Sequence, residues 1–207
     1  MGSVSRALLL LTLLSGCAGQ PRPFDVTTAG GGRAPSAGEA APPFTLPDHD
    51  GNSVSLADFR GRWVVLYFHP SDDTTGCGAE GSEFTALLGR FQDAGAPVLA
   101  VGTEPPLRHR FFRTTRGVQI PLLSDVDRRT MKQYGAWREV RWRGESFGRL
   151  VRTTLLIDPS GRVAWRWDHV IPQGHPDQVR RKLEQLSSHQ ATASNVPLPA
   201  QEGTGKE

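Results

Sequence analysis

The residue best placed to do chemistry in this sequence is Cys77, which lies in a turn rich in glycine and threonine, HPSDDTTGCGAEGSEF (His69–Phe84). The apolar run WVVLYF directly precedes this turn and predicts a buried strand, whereas the apolar spacing after Glu80 predicts a helix. Cys77 then falls in the first turn of that helix. Unpaired N–H groups and a partial positive charge at such a position lower a cysteine pKa from about 8.5 to about 3.5–7.5. The position predicts a nucleophilic thiolate; an inert buried thiol is the alternative.

The other cysteine, Cys17, ends an apolar N-terminal segment. One positive residue, Arg6, is followed by eight residues that are apolar except for a threonine, which is too short to span a bilayer and has the layout of a secretory signal. The sequence LSGC at positions 14–17 resembles a bacterial lipobox, in which the cysteine receives a diacylglycerol thioether. We expect residues 1–16 to be a lipoprotein signal peptide; an ordinary signal with a chance cysteine is the alternative.

Composition divides the remaining chain into three parts. Residues 17–37 are rich in Gly, Pro, Ala and Thr, and predict a lipid anchor followed by a flexible tether. Residues 38–186 have the size of one domain with one core, and residues 187–207 predict a disordered tail. The net charge of +3 and the scattered arginines do not indicate a nucleic-acid-binding protein. The expected location is the bacterial cell envelope, on the periplasmic or extracytoplasmic face of a membrane.

The order of elements within residues 38–186 indicates an α/β fold, with a central sheet and helices on both faces. Strands are predicted at WVVLYF and PVLAVG, a hairpin at TTLLID and RVAWRWD, and an irregular loop at AWREVRWRGESFGRL. Helices are predicted at Glu80–Ala94, PLRHRFFRTTR, the segment before Gly135, and from near Pro176 to Leu186.

Pro70, Thr74 and Cys77 stand in the order P-x-x-x-T-x-x-C. This pattern resembles the active-site signature of peroxiredoxins, the alkyl hydroperoxide reductase and thiol-specific antioxidant family. The runs VVLYFHPSDDTTGCGAE, FTLPDHDG, VRTTLLIDPSGRV and IPQGH are most similar to the bacterioferritin comigratory protein, or peroxiredoxin Q, branch. The resemblance covers about residues 41–186. It implies a thioredoxin-like fold with a central mixed β-sheet, and a thiol-dependent peroxidase that needs no cofactor.

The resemblance also implies roles for single residues. Cys77 would be the peroxidatic cysteine that attacks the peroxide, Thr74 would hydrogen-bond the peroxide, and Pro70 would shield the pocket from water. Arg152 would stabilise the thiolate and polarise the O–O bond, and Glu80 would orient an arginine. Each residue has a plainer interpretation: a strand-ending proline, an N-cap threonine, a surface arginine and a spectator cysteine.

The sequence departs from this branch at Ser82, where many relatives carry a resolving cysteine. If Cys17 is lipidated, Cys77 is the one free thiol, so the resemblance implies a one-cysteine cycle. An external thiol (thioredoxin, glutaredoxin or a low-molecular-weight thiol) would then reduce the sulfenic acid, and over-oxidation would compete. A monomer is expected.

Several other residues allow two interpretations. His69 could tune the pocket, but packing at the strand end is favoured, and His175 is expected to be structural. The tryptophans could form a docking site for the reductant, with packing as the default: Trp137, Trp142, Trp165 and Trp167. The six histidines show no metal-ligand spacing.

Two other functions remain open. A thioredoxin-like thiol–disulfide oxidoreductase is disfavoured because Glu80 occupies the place of a second redox cysteine. A non-enzymatic peroxide sensor would need the same thiolate, so turnover with a reductant is the observation that would separate it from a peroxidase.

Overall fold

The computed structural model describes residues 25–27, 33–70, 75–142 and 145–194, with side chains described except at 25–27, 75–77, 140–142, 146 and 191–194. Within these ranges the strands are β1 (Asp25–Thr27), β2 (Thr45–Pro47), β3 (Ser53–Ser55), β4 (Val64–Phe68), β5 (Val98–Gly102), β6 (Leu122–Ser124), β7 (Trp137–Trp142), β8 (Glu145–Leu150), β9 (Thr153–Ile157) and β10 (Val163–Asp168). The α-helices are α1 (Thr75–Ala86), α2 (Leu88–Asp93), α3 (Pro106–Arg116), α4 (Arg129–Gln133) and α5 (His175–Ser194).

A five-stranded mixed sheet in the order β10-β9-β4-β5-β6 forms the centre of the domain. Strands β4, β5 and β6 are parallel, whereas β9 is antiparallel to both β4 and β10. Every residue of β4, β5 and β9 is buried, which explains why β4 and β5 are apolar runs without alternation, whereas β9 begins with two buried threonines. The predicted mixed sheet is confirmed.

Two hydrophobic cores cover the two faces of this sheet. On one face, Val65 and Tyr67 pack with apolar residues of four helices, α1, α2, α3 and α5. On the other face, Leu66 and Phe68 pack with Met131 of α4 and with the β2–β3 hairpin. Helices therefore flank the sheet on both faces, as the order of elements predicts.

The stretch predicted to be an irregular loop is a β-hairpin, so that prediction is wrong. Strands β7 and β8 pair antiparallel, with Trp137 opposite Leu150 and Arg138 opposite Arg149. The hairpin tolerates its charged residues because part of it is exposed, while Trp137 and Leu150 pack against the core. Gly148 is required at its position, because a Cβ there would lie 2.3 Å from Cζ2 of Trp137.

The N-terminal segment predicted to be a tether contributes to this second sheet. Strand β1 pairs antiparallel with β7, with Asp25 opposite Arg141 and Thr27 opposite Glu139. Local composition indicates flexibility, but pairing with a strand more than a hundred residues away supplies the backbone hydrogen bonds that such a segment lacks by itself. The prediction of an unstructured tether is therefore wrong over residues 25–27.

Two helix boundaries differ from prediction. The helix predicted to carry Cys77 in its first turn and to continue to Ala94 begins at Thr75, but it is interrupted at Leu87, which separates α1 from α2. The last helix was expected to end at Leu186, but α5 continues to Ser194, where no proline or glycine interrupts the sequence. The predicted disordered tail is therefore wrong for residues 187–194, and residues 195–207 lie outside the described part. Among the described helices, none is both long and apolar enough to cross a bilayer.

Candidate functional site

The strand-to-helix connection after β4 places Cys77 as the third residue of α1. The predicted position in the first helical turn is thus confirmed, and the backbone N–H groups of that turn have no partners within the helix. The first turn of α1 contains no acidic residue whose charge would oppose a thiolate. Thr74 and Cys17 lie outside the described residues, as does the side chain of Cys77, so their roles stay predictions.

The buried face of α1 fixes the helix on the sheet. The ring of Phe84 stacks on Tyr67 of β4 at a centroid distance of 4.7 Å and an interplanar angle of 18°. Gly81 packs closely against Val118, since a Cβ at position 81 would lie 3.1 Å from Cγ2 of that valine. Close packing of its buried face therefore fixes α1 on the sheet.

An ion pair joins Arg152 to α1. Nη1 of Arg152 donates a hydrogen bond to Oε2 of Glu80 at 2.6 Å, although the two residues are 72 positions apart in sequence. Glu80 follows Cys77 by three positions, so the two residues are neighbours on the helix surface. The structure thus brings a cation to the helical turn that carries the cysteine, and the expected contact between Glu80 and an arginine is present.

The Glu80 carboxyl is almost fully buried, with a relative exposure of 1%. Burial raises its pKa from 4.5 to about 7, while the Arg152 guanidinium opposes this rise. The guanidinium itself is more open, with 17% of its side chain exposed. Glu80 thereby holds one edge of a guanidinium that still reaches the surface of the domain.

Pro70 and Arg152 line a cleft of about 760 Å³. This volume is within the range of about 300–1,000 Å³ that is usual for small-molecule sites. The other lining residues come from β7, β8 and two connecting segments: Thr103, Trp137, Arg138, Gly148, Arg149, Leu150, Val151, His169 and Val170. Two residues that the sequence predicts to be catalytic therefore share the edge of one cleft.

Comparison with known proteins identifies the family. The AhpC/TSA family model matches residues 37–166, which is more than half of the chain. The chain belongs to the AhpC/TSA family.

The relatives of this peroxiredoxin are members of the branch that the sequence resembles. It is 33% identical to peroxiredoxin Bcp of Escherichia coli over 149 residues, which are 72% of this chain and 96% of the relative. A relative from Mycobacterium tuberculosis is 40% identical over 146 residues, 70% of this chain and 93% of the relative.

Solved structures agree with this assignment. The bacterioferritin comigratory protein of Xanthomonas campestris is similar with a TM-score of 0.67 at 33% identity, covering 70% of this chain and 92% of that one. A cysteine-to-serine mutant of Xylella fastidiosa PrxQ has a TM-score of 0.69 at 31% identity, covering 75% and 99%. The thioredoxin-like fold predicted for this peroxiredoxin is therefore confirmed.

Of the β7–β8 side of the cleft, sequence analysis named only Trp137, as part of a possible docking site for the reductant with packing as the default, and it did not predict the two arginines. Arg138, Arg149 and Trp137 belong to the stretch interpreted as a loop, and His169 follows β10 with a positive φ of 55°. The unusual density of arginine and tryptophan was the signal in the sequence that could have identified this wall.

Buried histidines support the packing interpretation. His69 is 2% exposed, and its ring lies 5.9 Å from that of His109. Gly102 of β5 makes this approach possible, because a Cβ there would lie 2.6 Å from Cε1 of His109 and 2.9 Å from Cε1 of His69. His175 shares a hydrogen bond of 2.9 Å with Thr154, in agreement with its expected structural role.

Proposed function

We propose that this protein is a thiol-dependent peroxidase that reduces hydrogen peroxide and organic hydroperoxides through Cys77. The observation that carries the proposal is the ion pair between Arg152 and Glu80, which holds a cation beside the helical turn that contains the cysteine. Membership of the AhpC/TSA family and similarity to peroxiredoxin Bcp support the same chemistry.

The oxidation step follows from a thiolate at a helix N-terminus. The sulfur of Cys77 attacks one peroxide oxygen, the O–O bond breaks, and the departing oxygen takes a proton and leaves as water or an alcohol. Cys77 becomes a sulfenic acid. Arg152 stabilises the thiolate before attack and the negative charge on the departing oxygen during it. Thr74 and Pro70 are assigned the family roles of binding the peroxide and shielding it from water.

The return step requires a thiol from outside the domain. Ser82, five positions after Cys77, is exposed on α1 and offers no thiol, and the sequence holds no cysteine besides Cys17 and Cys77. A one-cysteine cycle follows, in which an external thiol condenses with the sulfenic acid and a second thiol releases Cys77. The reductant is a thioredoxin, a glutaredoxin or a small thiol.

The location proposed for this cycle is the cell envelope. The LSGC motif at positions 14–17 supports lipidation of Cys17 and anchoring of the protein on the extracytoplasmic face of a membrane. Mass spectrometry of the protein purified from membranes tests this proposal: a diacylglycerol adduct on Cys17 supports it, and an unmodified chain in the soluble fraction contradicts it.

Trapping of the sulfenic acid tests the peroxidase. The full chain is treated with hydrogen peroxide and a sulfenic-acid-specific nucleophile, and Cys77 is followed by intact mass beside a Cys77→Ser control. Oxidation at least a hundredfold faster than that of free cysteine, followed by repeated turnover with a thiol, is the expected result.

Two other outcomes would change the assignment. Fast oxidation without turnover with any thiol reductant would indicate a peroxide sensor. Oxidation no faster than that of free cysteine would overturn the peroxidase.

A further inference from the structure

The wall of the cleft formed by β7 and β8 carries two arginines directly opposite each other. Arg138 of β7 and Arg149 of β8 are paired residues of the hairpin, and both line the cleft. Like charges at directly opposite positions of a β-ladder destabilise the pairing. The pair therefore does not stabilise the hairpin, and it concentrates positive charge at the cleft.

No acidic side chain of the hairpin offsets this charge within the described part of the chain. Among those residues, neither guanidinium lies within 4.0 Å of a carboxylate, and no aspartate or glutamate lines the cleft. Nε of Arg138 donates to the carbonyl oxygen of Gly135 at 3.2 Å, and its charge is partly offset by the carboxylate of Asp168, so the charge left open at this wall is mainly that of Arg149. Arg149 is exposed. The site is thus built to receive a negative charge.

Part of the remaining surface of the cleft is apolar and held in place. The Trp137 ring packs closely over Gly148, and the guanidinium of Arg128 lies 4.7 Å from its centroid. Leu150 and Val151 continue this surface toward Arg152. The cleft therefore accepts a molecule with an anionic group at the hairpin and a less polar part directed toward Arg152, the residue that is paired with Glu80 of α1.

We infer that this cleft binds the external reductant, and that the reductant is a small thiol bearing carboxylates; this inference rests on the proposed one-cysteine cycle. Hydrogen peroxide is far smaller than 760 Å³ and needs no such site. An organic hydroperoxide fits the volume but need not carry an anionic group, whereas a thiol bearing carboxylates matches the charge of Arg149. A concave cleft of this size fits a small molecule better than the convex surface of a protein reductant.

The bound thiol completes the cycle with a balanced pair of steps. Its sulfur attacks Sγ of the Cys77 sulfenic acid, an S–S bond forms, the S–O bond breaks, and the hydroxyl leaves as water with the proton of the thiol. A second thiolate then attacks the ligand sulfur of this mixed disulfide. Cys77 leaves as a thiolate, and the two small thiols leave as a disulfide.

The test compares glutathione with its diethyl ester, which keeps the thiol but lacks the carboxylates. Cys77 of the full chain is oxidised with one equivalent of hydrogen peroxide, and formation of each mixed disulfide is timed by intact mass. The readout is the ratio of the two rates, because intrinsic differences in thiol reactivity cancel when variants are compared.

Charge removal at Arg149 is expected to lower this ratio. For Arg149→Gln the glutathione-to-ester ratio should fall about fivefold, and for the charge reversal Arg149→Glu about twentyfold. Arg90→Gln is the matched control, because Arg90 is exposed on α2 and does not line the cleft. Arg149 is itself exposed, so its variants are expected to fold.

The outcomes separate this inference from the function on which it rests. If wild-type Cys77 forms no sulfenic acid, the peroxidase itself fails and the inference with it. If sulfenic acid forms but both Arg149 variants keep the wild-type ratio, only the inference is overturned. A second comparison uses a carboxylate-bearing hydroperoxide and its methyl ester as oxidants. If Arg149→Glu lowers the rate with the carboxylate-bearing oxidant relative to the ester, and leaves the glutathione ratio unchanged, the cleft binds the oxidant and the inference is overturned.

Discussion

Arg152 and the pair formed by Arg138 and Arg149 line the same cleft, yet their surroundings differ. The Arg152 guanidinium is mostly buried and bonded at 2.6 Å to a carboxylate that is itself buried. Arg149 is exposed, and its cross-strand neighbour is another cation. The first arrangement fixes the position of a charge relative to Cys77. The second arrangement leaves positive charge available to a ligand. One cleft therefore contains both a preorganised cation, Arg152, and a recognition surface formed by Trp137, Arg138, Gly148 and Arg149.

The largest expected effect in this comparison is the loss of the fixed cation. Arg152→Ala should slow oxidation of Cys77 by hydrogen peroxide by about 10²–10³-fold, because a donor placed where negative charge develops is removed. Stopped-flow measurement of sulfenic acid formation checks this value, and circular dichroism of the variant verifies the fold. An Arg152→Ala protein that is oxidised at the wild-type rate would show that this guanidinium is structural.

Glu80 should make stability depend on pH in a direction unusual for a carboxylate. Its pKa is raised to about 7 in the folded protein, against 4.5 when exposed, so between these values the folded state binds more protons than the unfolded state. The free energy of unfolding should therefore fall as pH rises from 5 to 8, by on the order of 3 kcal/mol.

Urea unfolding at several pH values measures this slope, and Glu80→Gln should lose it. Glu184→Gln, a change at an exposed residue of α5, serves as the control and should keep the wild-type slope. A Glu80→Gln protein with the wild-type slope would assign the pH dependence to another group.

Gly148→Ala should disturb the recognition surface without touching an arginine. The added Cβ would lie 2.3 Å from Cζ2 of Trp137, so the ring must shift, and we expect a loss of about 1–3 kcal/mol in the free energy of unfolding. Gly89→Ala on α2 is the matched control, because nothing lies within 4 Å of a Cβ there. Equal stability of the two variants in urea would argue against a rigid Trp137.

The response of the two reaction rates to salt is the smallest expected effect, and it distinguishes the role of Arg152 from that of Arg138 and Arg149. The wild-type preference for glutathione over its ester should decline between 0.1 M and 1 M salt, because the Debye length shortens from about 10 Å to about 3 Å. Oxidation of Cys77 by uncharged hydrogen peroxide should change less, since the pair of Arg152 and Glu80 is largely buried. Equal salt sensitivity of both rates would contradict the division of roles.

The central half of this molecule could be predicted from sequence because its signals are local. Apolar runs at β4 and β5 indicate buried strands, the turn after β9 indicates a hairpin with β10, and Gly117 ends α3 in the left-handed conformation that favours glycine. The position of Cys77 in the first turn of α1 follows from the same reasoning. The family resemblance added Arg152 and Glu80, which no local pattern connects across 72 positions.

The side of the cleft formed by β7 and β8 could not be predicted as a hairpin, because pairing between strands that are distant in sequence creates it. Strand β7 has no regular alternation of apolar and charged residues, and its partner β1 belongs to a segment whose composition indicates flexibility. The helical residues after Leu186 were misinterpreted for a related reason: polar composition indicates disorder, but an existing helix extends at low cost when no helix breaker intervenes.

Gly102 shows that a residue with no proposed contact to peroxide or thiol can still be required by this site. The absence of a side chain there lets the rings of His69 and His109 lie side by side, and His69 directly precedes Pro70 at the edge of the cleft. In a library containing all twenty amino acids at position 102, selection for peroxide resistance should recover glycine alone. Such intolerance would resemble that of a catalytic residue, although position 102 contributes only the space that two neighbours occupy.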